Sequence, residues 1–144
     1  MIITEFVLAR IAEDEAAAQA ALDYAPDSGL WEFDEDLEAI VARTPTGDVV
    51  TVRGGIDIEE VRIDSRHMAR WSPVRALAEC AAKRTIVEAF EELGKFLTQS
   101  PDSGDGVEAT GVRDLFAGLM IAVKAHAEVY ADHSDYRAEW RSEA

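Results

Sequence analysis

The chain has 144 residues, of which 48% are hydrophobic and 30% are charged, so it has the size of one domain and enough apolar side chains to form one core. This composition excludes a disordered chain. The 14 Lys and Arg residues against 29 Asp and Glu residues give a net charge of -15, which opposes wrapping nucleic acid or binding anionic lipid. The single cysteine, Cys80, excludes an internal disulfide and a cysteine-rich metal site. We expect a single domain over residues 1–144.

The sequence also favours a cytoplasmic protein that does not enter membranes. No run approaches the roughly 18 apolar residues of a membrane-spanning helix. The first residues, MIITEFVLARIAEDEAAAQ, show no basic leader followed by an apolar stretch and a small-residue cleavage site. We therefore expect a cytoplasmic location.

The first half of the chain predicts one helix followed by a hairpin. The segment TEFVLARIAEDEAAAQAALDY is helical in pattern, with Thr4 as its cap. Its predicted apolar face consists of Val7, Leu8, Ile11, Ala18 and Leu22. Residues 39–43 and 48–53 are β-branched runs separated by TPTG, which suits a β-hairpin. Residues 31–38, WEFDEDLE, suggest a solvated acidic turn leading into that hairpin. For residues 56–71 the sequence is compatible with either a third strand or a helix.

The second half predicts two long helices. Ser72 and Pro73 form an N-cap and first-turn pair for a helix that ends near Gln99. The next helix follows the polar, Gly-rich segment 101–111 and has Thr110 as its cap. Its predicted apolar face consists of Val112, Leu115, Phe116, Leu119, Val123, His126 and Tyr130. The predicted fold class is α+β: an N-terminal helix, a β-hairpin or small antiparallel sheet, then two long antiparallel helices.

Charge is distributed unevenly along the sequence. Residues 1–60 contain 15 acidic and 3 basic residues, whereas residues 61–144 contain 14 acidic and 11 basic residues. Arg66, His67 and Arg70, close to Trp71 and Arg75, have the composition of a phosphate or nucleic-acid patch. The alternative is that these arginines pair with the acidic first helix and hairpin. The net charge of the chain favours this second interpretation over nucleic-acid binding.

The histidines and nearby aspartates raise the possibility of a metal-dependent hydrolase. Imidazole and carboxylate groups suit zinc, manganese or iron, and the candidate ligands are His67, Asp132, His133 and Asp135. However, no HExxH or HxxxH spacing occurs, and the sequence contains no GxSxG, P-loop or GxGxxG motif. The sequence therefore gives no positive support for catalysis and assigns no catalytic residue, metal ligand or cofactor.

Three blocks carry a resemblance: LARIAEDEAAA, HMARWSPVRALAECAAKRTIVE and YADHSDYRAEW. Together they resemble an uncharacterised family, a domain of unknown function, of short proteins from actinobacteria and their phages. Members of that family end in Tyr-Ala-Asp-His-x-Asp-Tyr-x-x-Glu-Trp. Here Trp71 replaces the second histidine of the family's middle block, and Ser134 replaces the proline of its last block. The resemblance implies a cytoplasmic accessory protein, plausibly encoded by an actinophage, but brings no known activity.

We therefore hypothesise a non-enzymatic protein that binds a host protein partner, with the metal-dependent hydrolase as the alternative. The two charged surfaces, residues 62–84 and the acidic hairpin, are the candidate interfaces. The candidate binding residues are Arg66, His67, Arg70, Lys83, Arg84, Asp132, His133, Tyr136 and Trp140. We expect the aromatic residues of the last block, Tyr136 and Trp140, to dock onto the fold. The competing structural interpretation of this block is that Asp132, His133 and Tyr136 form a hydrogen-bonded corner that docks the end of the chain over the two long helices.

Overall fold

A computed structural model describes residues 1–24, 31–37, 39–43, 49–52, 67–99 and 107–141. The chain divides into two compact units. The first unit comprises Met1–Glu13 and Ala81–Ala144, and the second comprises Asp14–Cys80. The expectation of a single domain over residues 1–144 stays a prediction.

Helix α1 spans Ile3–Tyr24, close to the predicted range. Phe6, Val7 and Ile11 are fully buried, so the first three turns contribute a wide apolar face to the first unit. The predicted cap is wrong. The backbone N–H of Ile2 donates to the carboxylate of Glu5 at 2.8 Å, which leaves Thr4 inside the first turn, where it is buried.

The second unit contains a three-stranded antiparallel sheet in the order β1-β2-β3. Strand β1 spans Trp31–Asp34, β2 spans Ala39–Arg43 and β3 spans Val49–Val52. The predicted hairpin is confirmed by the register of β2 with β3, in which Val41 lies opposite Thr51. The connection at residues 44–48 and the predicted third strand at residues 56–63 lie outside the described residues.

The acidic segment WEFDEDLE was wrongly predicted as a turn alone, because its first four residues form β1. Phe33 lies opposite Ile40 in the register with β2, and apolar Trp31 and Phe33 are both half-buried, which stabilises the strand despite the intervening carboxylates. The turn begins only at Glu35. Asp34 Oδ1 accepts hydrogen bonds from the backbone N–H groups of Asp36 and Leu37, both at 3.0 Å.

Two long helices follow. Helix α2 spans Pro73–Gln99, as predicted, and its first turn is closed by the hydrogen bond from Ala76 N–H to the Ser72 carbonyl at 2.9 Å. Helix α3 spans Val107–Glu128, so Thr110 lies within the helix and does not cap it. The residues before Thr110 have ordinary helix propensity and extend the helix towards the N-terminus.

Helices α2 and α3 are antiparallel in the first unit. The rings of Phe90 and Phe116 stack at 4.6 Å between centroids, while Lys83 Nζ lies 5.7 Å from the ring of Tyr130, just beyond α3. The contact made earlier along α2 therefore lies later along the second chain segment, which makes the two helices antiparallel. At Gly94 an added Cβ would lie 3.3 Å from Phe116, so the glycine allows the close approach.

The described residues confirm the α+β class and the predicted order of elements. Val87, Phe90, Val123 and Ala127 are buried between the helices of the first unit. One residue of the predicted apolar face of α3, Leu115, is exposed instead, since it lies at the edge of that face. None of the described helices is both long and apolar enough to span a bilayer.

Candidate functional site

The predicted binding residues divide between the two units. His67 and Arg70 belong to the second unit, whereas the others that the structure describes belong to the first unit. Arg66 lies outside the described residues. Those in the first unit are Lys83, Arg84, Asp132, His133, Tyr136 and Trp140. The candidate residues of the two units are therefore considered as two groups, one in each unit.

The C-terminal block packs around a single buried ring on α1, that of Phe6. The Trp140 indole lies 5.0 Å from the Phe6 ring, the His133 ring 5.8 Å and the Tyr136 ring 6.0 Å, all measured between centroids. The Tyr130 ring completes the set at 6.5 Å with an edge-to-face geometry. Trp140 is buried, within a short 3-10 helix spanning Ala138–Trp140. The prediction that these aromatic residues dock is confirmed by these contacts.

Arg10 is the charged residue buried in this aromatic cluster. Its guanidinium lies 5.5 Å from the Phe6 ring centroid, its Nη2 pairs with the Glu13 carboxylate at 2.8 Å, and its Nη1 contacts His133 Nε2. Because Glu13 is on the same helix and largely exposed, the positive charge is compensated at the edge of the cluster. Arg10 Nε and the Tyr136 hydroxyl are buried without a hydrogen-bond partner among the described residues.

His133 is held by contacts to both of its ring nitrogens. Its Nδ1 accepts a hydrogen bond from the backbone N–H of Asp135 at 3.1 Å, and its Nε2 faces Arg10. The preceding backbone turn is closed by the hydrogen bond from His133 N–H to the Tyr130 carbonyl at 3.0 Å. Both ring nitrogens therefore already face protein groups. Asp132 and Asp135 are exposed on the same turn.

No three His, Cys, Asp or Glu residues form a group able to hold a metal ion within the part of the chain that the structure describes. All of the ligands named for the hydrolase alternative, His67, Asp132, His133 and Asp135, lie in that part. The alternative thus has no ligand cluster to support it.

Lys83 and Arg84 are half-buried on α2, and both are engaged with neighbouring groups. The ammonium of Lys83 lies over the face of the Tyr130 ring, a cation–π geometry. Burial lowers the pKa of His126 below its ordinary value of 6.5, and the nearby charge of Lys83 lowers this pKa further. His126 Nε2 is buried without a hydrogen-bond partner among the described residues, so this histidine stays neutral near pH 7.

The residues just before and at the start of α2 form a different kind of surface, which we call the Trp71 segment (residues 67–75). Three of its large apolar side chains are exposed to solvent: Trp71 is 48% exposed, Met68 43% and Val74 45%. The Arg75 guanidinium lies 4.9 Å from the Trp71 ring centroid and pairs with Glu79 at 2.9 Å.

The backbone of the Trp71 segment forms a hydrogen-bonded turn. Hydrogen bonds from Arg70 N–H to the His67 carbonyl (3.1 Å) and from Trp71 N–H to the Met68 carbonyl (2.9 Å) close its turn. Ser72 and Pro73 are buried between the exposed side chains. The His67 ring lies 6.4 Å from the indole. The segment therefore presents the Trp71 indole between the Arg75 guanidinium and the His67 ring.

Sequence reasoning missed Phe6 and Arg10, and it missed the pairing of Arg75 with its own helix. Phe6 and Arg10 lie four residues apart, which was the available signal for a second buried face on α1. One of the two interpretations of the arginines pairs them with the acidic first helix and hairpin. Arg75 pairs instead with Glu79, because residues four apart on a helix are already neighbours.

The chain matches one family model over residues 1–142, described as a family of unknown function (DUF6221), and it belongs to that family. No curated protein and no solved structure gives a significant match.

Proposed function

We propose that this member of the DUF6221 family is a non-enzymatic protein that binds a protein partner through the Trp71 segment. The observation that carries the proposal is the exposed indole held beneath the Arg75 guanidinium. Trp and Arg are the side chains most enriched among residues that dominate protein–protein binding energy, and a pre-positioned side chain loses little conformational entropy on binding.

Charge favours a partner of complementary sign at this surface. Arg70 and Arg75 are exposed beside the indole, and Arg75 is only partly neutralised by Glu79. A partner that fits would offer an apolar pocket for Trp71 with acidic side chains at its rim. The overall charge of -15 opposes nucleic acid as that partner.

The family resemblance adds a biological source and a class of partner to the proposal. In that setting the chain is an accessory protein, encoded by an actinophage, and its partner is a host protein of the cytoplasm. The hydrolase alternative is not carried further, since no observation favours it and His133 is occupied by Arg10 and the Asp135 amide.

Site-specific photo-crosslinking tests this function. A photoreactive phenylalanine analogue replaces Trp71 in one protein and Phe96, an equally exposed aromatic on α2, in the control. Both are irradiated in an actinobacterial lysate, with and without nuclease, and adducts are identified by mass spectrometry. We expect one host protein to be crosslinked to position 71 both with and without nuclease, and not to position 96. Adducts confined to nucleic acid, or equal at both positions, would contradict the proposal.

The purified partner then allows a quantitative check. Trp71→Ala is expected to weaken binding by about 30-fold or more, as for a dominant interface residue. Phe96→Ala is the matched control and is expected to leave binding unchanged. Because Trp71 is exposed, its replacement leaves the urea midpoint nearly unchanged, which separates lost binding from lost folding.

A further inference from the structure

The Arg75 side chain occupies a position that helix stability does not explain. Arg75 is the third residue of α2, whose first turn, PVRA, contains no acidic residue. The N-terminal end of a helix carries partial positive charge and favours carboxylates over cations. The ion pair of Arg75 with Glu79 also has the less favourable order, because an acidic residue four positions before a basic one stabilises a helix more than the reverse. The favourable contacts of Arg75 are therefore those of its guanidinium group.

Two contacts hold that guanidinium, each in a different direction. Its central carbon lies 4.9 Å from the centroid of the Trp71 ring, and its Nε donates to a carboxylate oxygen of Glu79 at 2.9 Å. The first contact keeps the guanidinium on one face of the indole. The second lies along an N–H bond in the guanidinium plane and limits rotation over that face. An exposed cation–π contact alone is weak, comparable with the side-chain entropy that it costs, so the contact with Glu79 is needed to hold Arg75 in place.

The Trp71 indole depends on this guanidinium for its orientation. The backbone of Trp71 is fixed by its hydrogen bond to the Met68 carbonyl, but the side chain is half exposed. Among the described residues, the groups in ring contact with the indole are Arg75 and His67. The His67 ring is the more distant of the two, at 6.4 Å, and His67 is itself exposed. Arg75 is therefore the stronger constraint on the indole.

We propose that Glu79 is a positioning residue for the Trp71 segment: it holds Arg75 on the indole, so that the indole keeps one orientation in the free protein. This inference rests on the proposed function, because a fixed indole orientation has its effect at a binding surface. Glu79 does not itself contact the partner in this arrangement. It acts through Arg75.

The same arrangement specifies how the partner is recognised. Nη1 and Nη2 of Arg75 make no hydrogen bond to any residue that the structure describes, whereas Nε is occupied by Glu79. The two Nη groups form a planar pair of donors that matches the two oxygens of a carboxylate. A carboxylate of the partner therefore binds at the Nη1 and Nη2 end of Arg75, beside the pocket that receives Trp71.

Relaxation measurements on the indole N–H groups of the free, isotope-labelled chain test the proposal. The chain has three tryptophans, and the indole signal of Trp71 is assigned with the Trp71→Phe variant. In the native protein we expect its order parameter to approach the value of about 0.85 found for a rigid backbone, and in Glu79→Ala to fall below about 0.6. The buried Trp140 indole is the internal reference and should stay rigid in both proteins.

A charge-reversed pair separates positioning from helix stability. Arg75→Glu combined with Glu79→Arg keeps an ion pair four residues apart and brings the acidic residue to the first turn, so α2 should be at least as stable by urea denaturation. The introduced arginine lies about one turn further along α2, too far to stack on the indole, so the order parameter of Trp71 should fall as in Glu79→Ala. Glu79→Gln keeps an oxygen acceptor for Arg75 Nε and should retain part of the order. An indole that is mobile in the native protein, or equally ordered in every variant, would overturn the proposal.

The partner captured by crosslinking at position 71 provides a second readout. At high salt, which screens the lost charge of Glu79, Glu79→Ala should weaken binding by about two- to tenfold, the cost of ordering one long side chain on binding. Unchanged binding of Glu79→Ala together with lost binding of Trp71→Ala would leave the proposed function standing and show that the positioning role is wrong. If no partner is captured, the order parameters in the free protein still decide whether Glu79 positions the indole.

Discussion

The ring of Phe6, in the first turns of α1, lies 5.0 Å from the indole of Trp140 near the end of the chain, with a tilt of 41° between the ring planes. Both side chains are buried. This contact joins the N-terminal helix to the last short helix of the first unit. It explains why a terminal segment rich in aromatic residues is ordered: its rings complete the core around Phe6.

Trp140→Ala should destabilise the protein by about 3–5 kcal/mol, the usual cost of truncating a buried aromatic side chain. Urea denaturation followed by circular dichroism measures this change. In a double-mutant cycle with Phe6→Leu, the two rings should couple by about 1 kcal/mol. Trp71→Ala is the matched control, since its half-exposed indole should cost less than about 1 kcal/mol. Equal losses for the two tryptophans would contradict the buried role of Trp140.

The sequence alone predicts those elements whose determining interactions are local. Ser72 and Pro73 mark the start of α2 because both the capping preference and the fixed backbone angle of proline act within one turn. The pairing of residues 39–43 with 49–52 follows from β-branched composition and a short connection. The docking of Tyr136 and Trp140 was predictable from composition alone, although their target was not.

The predictions that were wrong or missing concern residues whose structure depends on neighbours far away in the sequence. The acidic side chains within residues 31–34 suggest a solvated turn, and only the pairing with β2 makes this segment a strand. Arg10 is charged and was not expected in a core, but Glu13, Phe6 and His133 together accommodate its guanidinium there. A single sequence does not contain the tertiary partner that decides such cases.

Asp34→Ala should destabilise the second unit by about 1 kcal/mol, since two backbone N–H groups at the β1–β2 turn lose their acceptor. Asp34→Asn keeps an Oδ1 acceptor and should lose less. Asp36 lies in the same turn with an exposed side chain, so Asp36→Ala is the control and should be nearly neutral. Thermal unfolding of the three variants measures these differences. A loss for Asp36→Ala as large as that for Asp34→Ala would show that charge, and not the turn hydrogen bonds, is responsible.

Gly94 in α2 and Gly118 in α3 should respond differently to alanine. Gly118→Ala adds a methyl group in open space on an exposed helix and should stabilise the protein by about 0.5–1 kcal/mol through helix propensity. Gly94→Ala gains the same propensity but places its Cβ 3.3 Å from the Phe116 ring, so the net gain should be smaller or reversed. Urea unfolding at low micromolar concentration compares them. A Gly94→Ala protein more stable than Gly118→Ala would show that the Phe116 ring moves away at no cost.

His126 should make stability depend on pH in a defined window. Its pKa in the folded protein is lowered from 6.5 by burial and by Lys83, whereas in the unfolded chain it titrates near 6.5. Between these two values the unfolded chain binds more protons, so stability rises with pH. The contribution of neutral His126 is complete above about pH 6.5 and is lost as the pH falls towards the folded pKa.

His126→Leu removes both the titration and a buried nitrogen that has no hydrogen-bond partner among the described residues. The free energy of unfolding of this variant, relative to the native protein, should therefore be similar or higher at pH 7.5 and increasingly higher as the pH is lowered to 5.5. Lys83→Met should reduce the slope, because the second cause of the lowered pKa is then absent, while Lys95→Met, on the same helix, should not. Urea midpoints at intervals of pH measure all four proteins. Parallel curves for the native protein and His126→Leu across this range would mean that His126 is as solvated in the folded state as in the unfolded chain.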